Sequence, residues 1–185
     1  MTRLLLIHAG PTPWDAENRL TGSHSLPLTA DAQVAARSLV DAIAVPPTGL
    51  YLCRADEACE QVGRMVGKRF HLRLRDWPEL AELKLGLWEG LEREELRRRF
   101  STIFPQWEEQ PLSVIPPEGE SLQEAIDRVK PALRKILRRN RDGNVAIVLR
   151  PLAMQIVSGL LHDEDGAKIA AHLHNIDVME TIELP

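Results

Sequence analysis

The chain opens on a short apolar run, Leu4 to Ile7, that breaks off at Gly10, Pro11 and Pro13. A run of that length predicts a buried strand followed by a turn-rich loop. From Thr29 the pattern turns helical, with Val34, Ala35, Leu39 and Ile43 on one face, Thr29 as N-cap, Asp31 in the first turn, and Pro46 and Pro47 as the stop. Leu50 to Cys53 is again short and apolar, and Ala58, Val62, Met65 and Val66 then recur at helical spacing until Gly67. Phe70, Leu72 and Leu74 alternate with His71, Arg73 and Arg75, the period-2 pattern of a half-exposed strand at a sheet edge.

The stretch from Asp76 to Gln110 lacks one clean period and reads as a loop around Glu82 to Gly90, then a short helix. Ser121 and Glu124 have the spacing of a capping box, which predicts a long helix to about Asn140. Val145 to Leu149 reads as a buried strand, Pro151 suits the first position of a further helix, and Val178 to Leu184 closes as a strand. Alternating strands and helices predict a three-layer α/β/α fold with a mainly parallel central sheet. The expected organisation is one domain over residues 1–185, with 76–120 as an inserted loop and helix region over the crevice.

Composition narrows the possible roles. The 185 residues are 44% hydrophobic and carry a formal charge of −4, so there is material for a sizeable core and no global basic field for nucleic acid. The initial apolar run is too short for a signal-peptide core or a membrane span. Cys53 and Cys59 form no disulfide framework and suit small core positions in a reducing, cytoplasmic setting. His172 and His174 read as an exposed helix-end pair rather than a metal site, and no metal or cofactor is expected. Arg97 to Arg99 and the cluster from Arg134 to Arg141 read as solvated helix faces. Trp77, Trp88 and Trp107 suit a pocket mouth or a subunit interface, and a homodimer is one possible assembly.

In such a sheet the ligand crevice lies at the carboxyl ends of the strands. The segments there are His8 to Thr12, Cys53 to Glu57, and Leu149 to Pro151. Together with later motifs they resemble the histidine phosphatase superfamily, which includes the phosphoglycerate mutases. The family opening Arg-His-Gly-Glu-Thr-x-Trp is matched in frame by His8, Ala9, Gly10, Pro11, Thr12, Pro13 and Trp14, with Asp15 where asparagine is common. Gly22 and Pro27-Leu28-Thr29 follow, then Glu82, Gly86, Trp88, Glu89 and Gly90, then Gly119, Glu120, Ser121 and Arg128.

The resemblance implies four phosphate-binding positions and an acid. The family's nucleophilic histidine falls on Ala9, its first arginine on His8, its second arginine on Glu57 and its second histidine on Arg150, while its acid falls on Glu82. Sliding the frame by one residue would put His8 in the nucleophile slot and Ile7 in the first arginine slot. A phosphate monoester needs fixed cationic donors and a neutral imidazole at attacking distance. The positions His8, Ala9, Gly10, Thr12, Glu57, Glu82 and Arg150 therefore suggest a crevice that binds a small molecule or a protein without catalysis. The alternative is a weak phosphomonoesterase or mutase with His8 as nucleophile and Glu82 as acid. A third reading has His8, Glu57 and Glu82 converging on a cation or a cationic ligand. The frame also predicts a direct Glu57–Arg150 salt bridge at the former phosphate position.

Overall fold

The computed structural model describes residues 1–173 and 178–184. In chain order its main elements are β1 (Thr2–His8), α1 (Pro13–Ala16), α2 (Ala30–Ala42), β2 (Gly49–Leu52), α3 (Glu57–Phe70) and β3 (Leu74–Asp76). They continue with α4 (Arg93–Arg99), α5 (Ile103–Glu109), α6 (Leu122–Arg139), β4 (Asn144–Leu149), α7 (Pro151–Leu161), α8 (Gly166–His172) and β5 (Met179–Leu184). The sheet order is β3-β2-β4-β1-β5. All neighbours pair in parallel except β5, which runs antiparallel to β1.

Side-chain alternation divides the core into two layers. Ile7, Ala9, Leu50, Leu52, Ala146 and Val148 face α2 and α3, whereas Leu4, Leu6, Tyr51, Ile147 and Leu149 face α6, α7 and the 76–120 segment. The strands are apolar on both faces because helices cover both, which makes this a three-layer α/β/α sandwich. Each fully buried leucine or isoleucine contributes about 1.5–3 kcal/mol through lost apolar exposure.

Several boundaries differ from the sequence pattern. Helix α3 runs on to Phe70 and ends through His71 in the left-handed region (φ 54°), so the edge strand shrinks to three residues. Helix α2 buries Ala32, Ala36 and Val40 and leaves Val34 exposed; small alanines allow close packing on the sheet, and that overrides the larger residue's preference. The 76–120 segment contains α5 as well as the expected short helix, plus single 3-10 turns at Pro78–Leu80, Gly86–Trp88 and Pro111–Ser113. Trp88 and Trp107 are both buried, edge-on to each other, with Phe104 edge-on to Trp88 and stacked on Trp107; Trp107 also lines the crevice cavity, whereas Trp88 is core. Trp77 is also buried, against Tyr51. His172 ends α8, and His174 lies outside the described residues.

Candidate functional site

The carboxyl ends of β1, β2 and β4 lie side by side, with His8 opposite Leu149 in the parallel register. The Ala9 amide donates to the Leu149 carbonyl, which continues the pairing one step and brings Ala9 beside Arg150. Beyond Ala9 the chain turns at Gly10 with φ +104°, a conformation that glycine adopts without strain. Thr12 then caps α1, and Asp15 closes a capping box by accepting from the Thr12 amide and hydroxyl, both at 2.7 Å.

That same Asp15 carboxylate is the partner of Arg150. Nη2 of Arg150 donates to Asp15 Oδ2 at 2.9 Å, and Nη1 donates to the Gly10 carbonyl at 2.9 Å. The Arg150 side chain is only 2% exposed, and its Nε lies 4.0 Å from Asp56 Oδ2. Asp15 Oδ1 accepts from the Thr21 hydroxyl, so both oxygens are engaged. Burial pushes the Asp15 pKa up, but Arg150 and the bonds from Thr12 outweigh it and hold the carboxyl below its ordinary value. For Arg150, burial opposes the charged form, and the carboxylates around it, Asp15 foremost, more than restore it.

The predicted Glu57–Arg150 bridge is therefore absent. Glu57 occupies the first helical position after the Asp56 N-cap and is exposed; its amide donates to the Ser25 hydroxyl and its carboxylate accepts from Gln61. Asp56 is the residue that turns inward, capping the Cys59 amide at 2.7 Å while its other oxygen faces Arg150. Sequence matching overlooked Asp15 and Asp56, yet both leave a trace. Thr12-x-x-Asp15 has capping-box spacing, and an aspartate before a helical run is an N-cap signal.

Glu82 is fully enclosed and binds three backbone amides, those of Leu83 (2.8 Å), Leu152 (2.9 Å) and Ala153 (2.9 Å). It thereby satisfies donors at the α7 N-terminus. Burial nevertheless dominates and raises its pKa to about 7, against the lowering effect of the amides and Arg150. His8 moves the other way: burial, then the nearby Arg150 charge, lower it to about 4, with Asp15 opposing. The imidazole is thus neutral at pH 7, and its Nε2 is buried with no hydrogen-bond partner among the described residues. Ala9 is buried in the α2–α3 core layer, and Thr12 is buried beside Thr21.

A cavity of about 170 Å³ adjoins this cluster, with Asp15, Thr21, Glu82, Arg150 and Trp107 among its walls. Arg19 and Arg93 also line it, and are held by Glu92 and Glu108 respectively. The third reading lacks support: Glu57 engages Ser25 and Gln61, and among the described residues no group of three or more His, Cys, Asp or Glu side chains could hold a metal ion. No helix among them is long and apolar enough to cross a membrane.

A mainly parallel α/β sheet thus gathers His8, Arg150, Asp15 and the buried Glu82 at the carboxyl ends of its strands. The chain belongs to the histidine phosphatase superfamily (branch 1), whose family model matches residues 4–181. It is 26% identical over 163 residues to 6-phosphofructo-2-kinase/fructose-2,6-bisphosphatase of Caenorhabditis elegans, covering 86% of this chain and 34% of that longer protein. It is 21% identical over 168 residues to phosphoserine phosphatase 1 of Hydrogenobacter thermophilus, covering 91% of this chain and 80% of the relative. In fold it is similar to YhfR of Bacillus stearothermophilus, with a TM-score of 0.88, 23% identity, and 100% and 92% of the two chains covered.

Proposed function

We propose that this chain is a non-catalytic member of its superfamily that acts by binding a small molecule or a protein at the remodelled crevice. The observation that carries the reading is the buried Arg150–Asp15 ion pair, completed by the Gly10 carbonyl. A guanidinium already satisfied by an internal carboxylate has little to offer a phosphoryl group, and Asp56 adds a second negative charge beside it. Ala9 presents a methyl group in the slot that the ungapped frame assigns to the nucleophile, and losing a covalent nucleophile removes the pathway. The β1–β4 register favours that frame, since it sets Ala9 rather than His8 beside Arg150.

A second reading retains one favourable observation. His8 is a neutral imidazole with a free Nε2, and Glu82 titrates near 7, which are the protonation states a nucleophile and an acid require. Incubation with p-nitrophenyl phosphate, followed by acid-quench trapping of phosphohistidine, separates the two. The expected outcome is turnover at background and no phosphoenzyme. A robust rate abolished by His8→Ala would overturn the binding reading and establish the enzyme.

A further inference from the structure

A broad concavity lies outside the crevice, between the C-terminal halves of α2 and α3, with a volume of about 760 Å³. Its walls carry Arg37 from α2 and Arg64, Lys68 and Arg69 from α3, against a single lining carboxylate, Asp41. This local excess of positive charge stands in a chain whose formal charge is −4. Met65, half-buried, supplies apolar surface between the cations, while Val40 is almost fully buried and adds little.

The state of the four cations decides what the groove can do. Arg64 pairs with Glu60 one turn back, and Arg69 reaches across to Asp41. Arg64 and Arg69 are themselves exposed, and surface pairs hold their cations weakly, although Glu60 is only 21% exposed and also binds Arg54. Arg37 and Lys68 are exposed and have no ion pair or hydrogen bond among the described residues. Two uncommitted cations and two weakly held ones, drawn from separate helices around an apolar floor, differ from the arginine runs of α4 and α6, each of which lies along one helix. Val34, 63% exposed on α2 one turn before Arg37, extends the apolar strip beyond the groove.

We propose that this groove docks an acidic segment of a partner protein, with its carboxylates on Arg37, Arg64 and Lys68 and its apolar side chains on Met65. The concave shape and apolar floor suit a peptide of alternating character. A membrane surface would favour a flat or protruding basic face, and free phosphate would leave the apolar floor unused.

The test is fluorescence anisotropy at low salt with a labelled short peptide alternating glutamate and leucine. Phosphatidylserine vesicles and inorganic phosphate form separate arms. The expected result is saturable binding that weakens as salt rises. Arg37→Glu with Lys68→Glu should weaken it roughly tenfold or more, whereas Arg98→Glu with Arg134→Glu, which changes net charge equally on other faces, should leave it within about twofold. Far-ultraviolet circular dichroism checks that both variants fold, and a lysine-leucine peptide should not bind. Absent binding, equal losses in the two double variants, or binding to vesicles or phosphate in place of the peptide would each overturn the proposal.

Discussion

At the scale of single residues, Asp15 governs the crevice. Where the family commonly has an asparagine, a carboxylate caps α1, accepts from Thr21 and neutralises Arg150 within one network. Asp15→Asn would keep the shape and most of the hydrogen bonds while removing the charge. Breaking one side of a fully buried pair costs about 3–5 kcal/mol. Asp15 is 30% exposed and Asp56 remains nearby, so a loss of about 1–3 kcal/mol is expected here. The freed guanidinium should then accept an oxyanion. Orthophosphate should raise the melting temperature of Asp15→Asn above that of a chloride control at equal ionic strength and leave the unmodified chain unchanged. Equal responses in the two proteins would show that Asp15 does not occupy the anion position. The crevice residues were legible by frame matching, because His8, Glu82 and Arg150 sit at strand and loop ends marked by glycine and proline. The pairing among them was not. A linear sequence shows which groups reach the crevice but not which of Asp15, Asp56 and Glu57 a helix start turns inward.

At the scale of elements, the strands β1, β2 and β4 and the helix α6 were legible because their patterns are strong. Continuous apolar runs mark strands covered on both faces, and the Ser121–Glu124 capping box forms as the spacing requires. Helix α5 was not legible, since its buried Phe104 and Trp107 lie in seven residues that include Pro105, too few for a period to emerge. Glu82 joins this irregular region to the α7 N-terminus, while His8 ends β1, and the two make opposite demands on pH. Glu82 has a folded pKa raised to about 7, so the folded state binds more protons than the unfolded chain, and stability falls as pH rises from about 4.5 to about 7. His8 has a folded pKa lowered to about 4, so the unfolded chain binds more protons, and stability rises with pH between about 4 and 6.5. Each effect amounts to a few kcal/mol at most, and across their shared window they largely cancel. Urea midpoints measured across that window should vary little for the unmodified chain. They should rise with pH in Glu82→Gln, where only the histidine contribution remains. A flat profile in Glu82→Gln would mean that His8 is not held neutral by its surroundings.

At the scale of the whole molecule, the fold is that of the superfamily, and the proposed non-catalytic reading concerns only the cluster of Asp15, His8, Glu82 and Arg150 in its crevice. A single reversion should therefore fail. Ala9→His would place an imidazole in the nucleophile slot, but Ala9 is buried among α2 and α3 side chains, and the added volume strains that packing. The new ring would also face Arg150 tied to Asp15, with His8 and Glu57 where the family has arginines. Catalytic groups that act as one unit are strongly non-additive, so partial sets recover little. Because Asp15 pairs with Arg150, the expected minimal set is Ala9→His, His8→Arg, Glu57→Arg and Arg150→His together with Asp15→Asn. The set also removes both members of the buried ion pair at once, which avoids stranding a charge. Hydrolysis of p-nitrophenyl phosphate by this fivefold variant should rise clearly above that of the unmodified chain. Ala9→His alone, and the fourfold variant that keeps Asp15, should stay near background. Substantial turnover by Ala9→His alone would show that the charges of His8, Glu57, Arg150 and Asp15 around that position are no barrier to phosphoryl transfer.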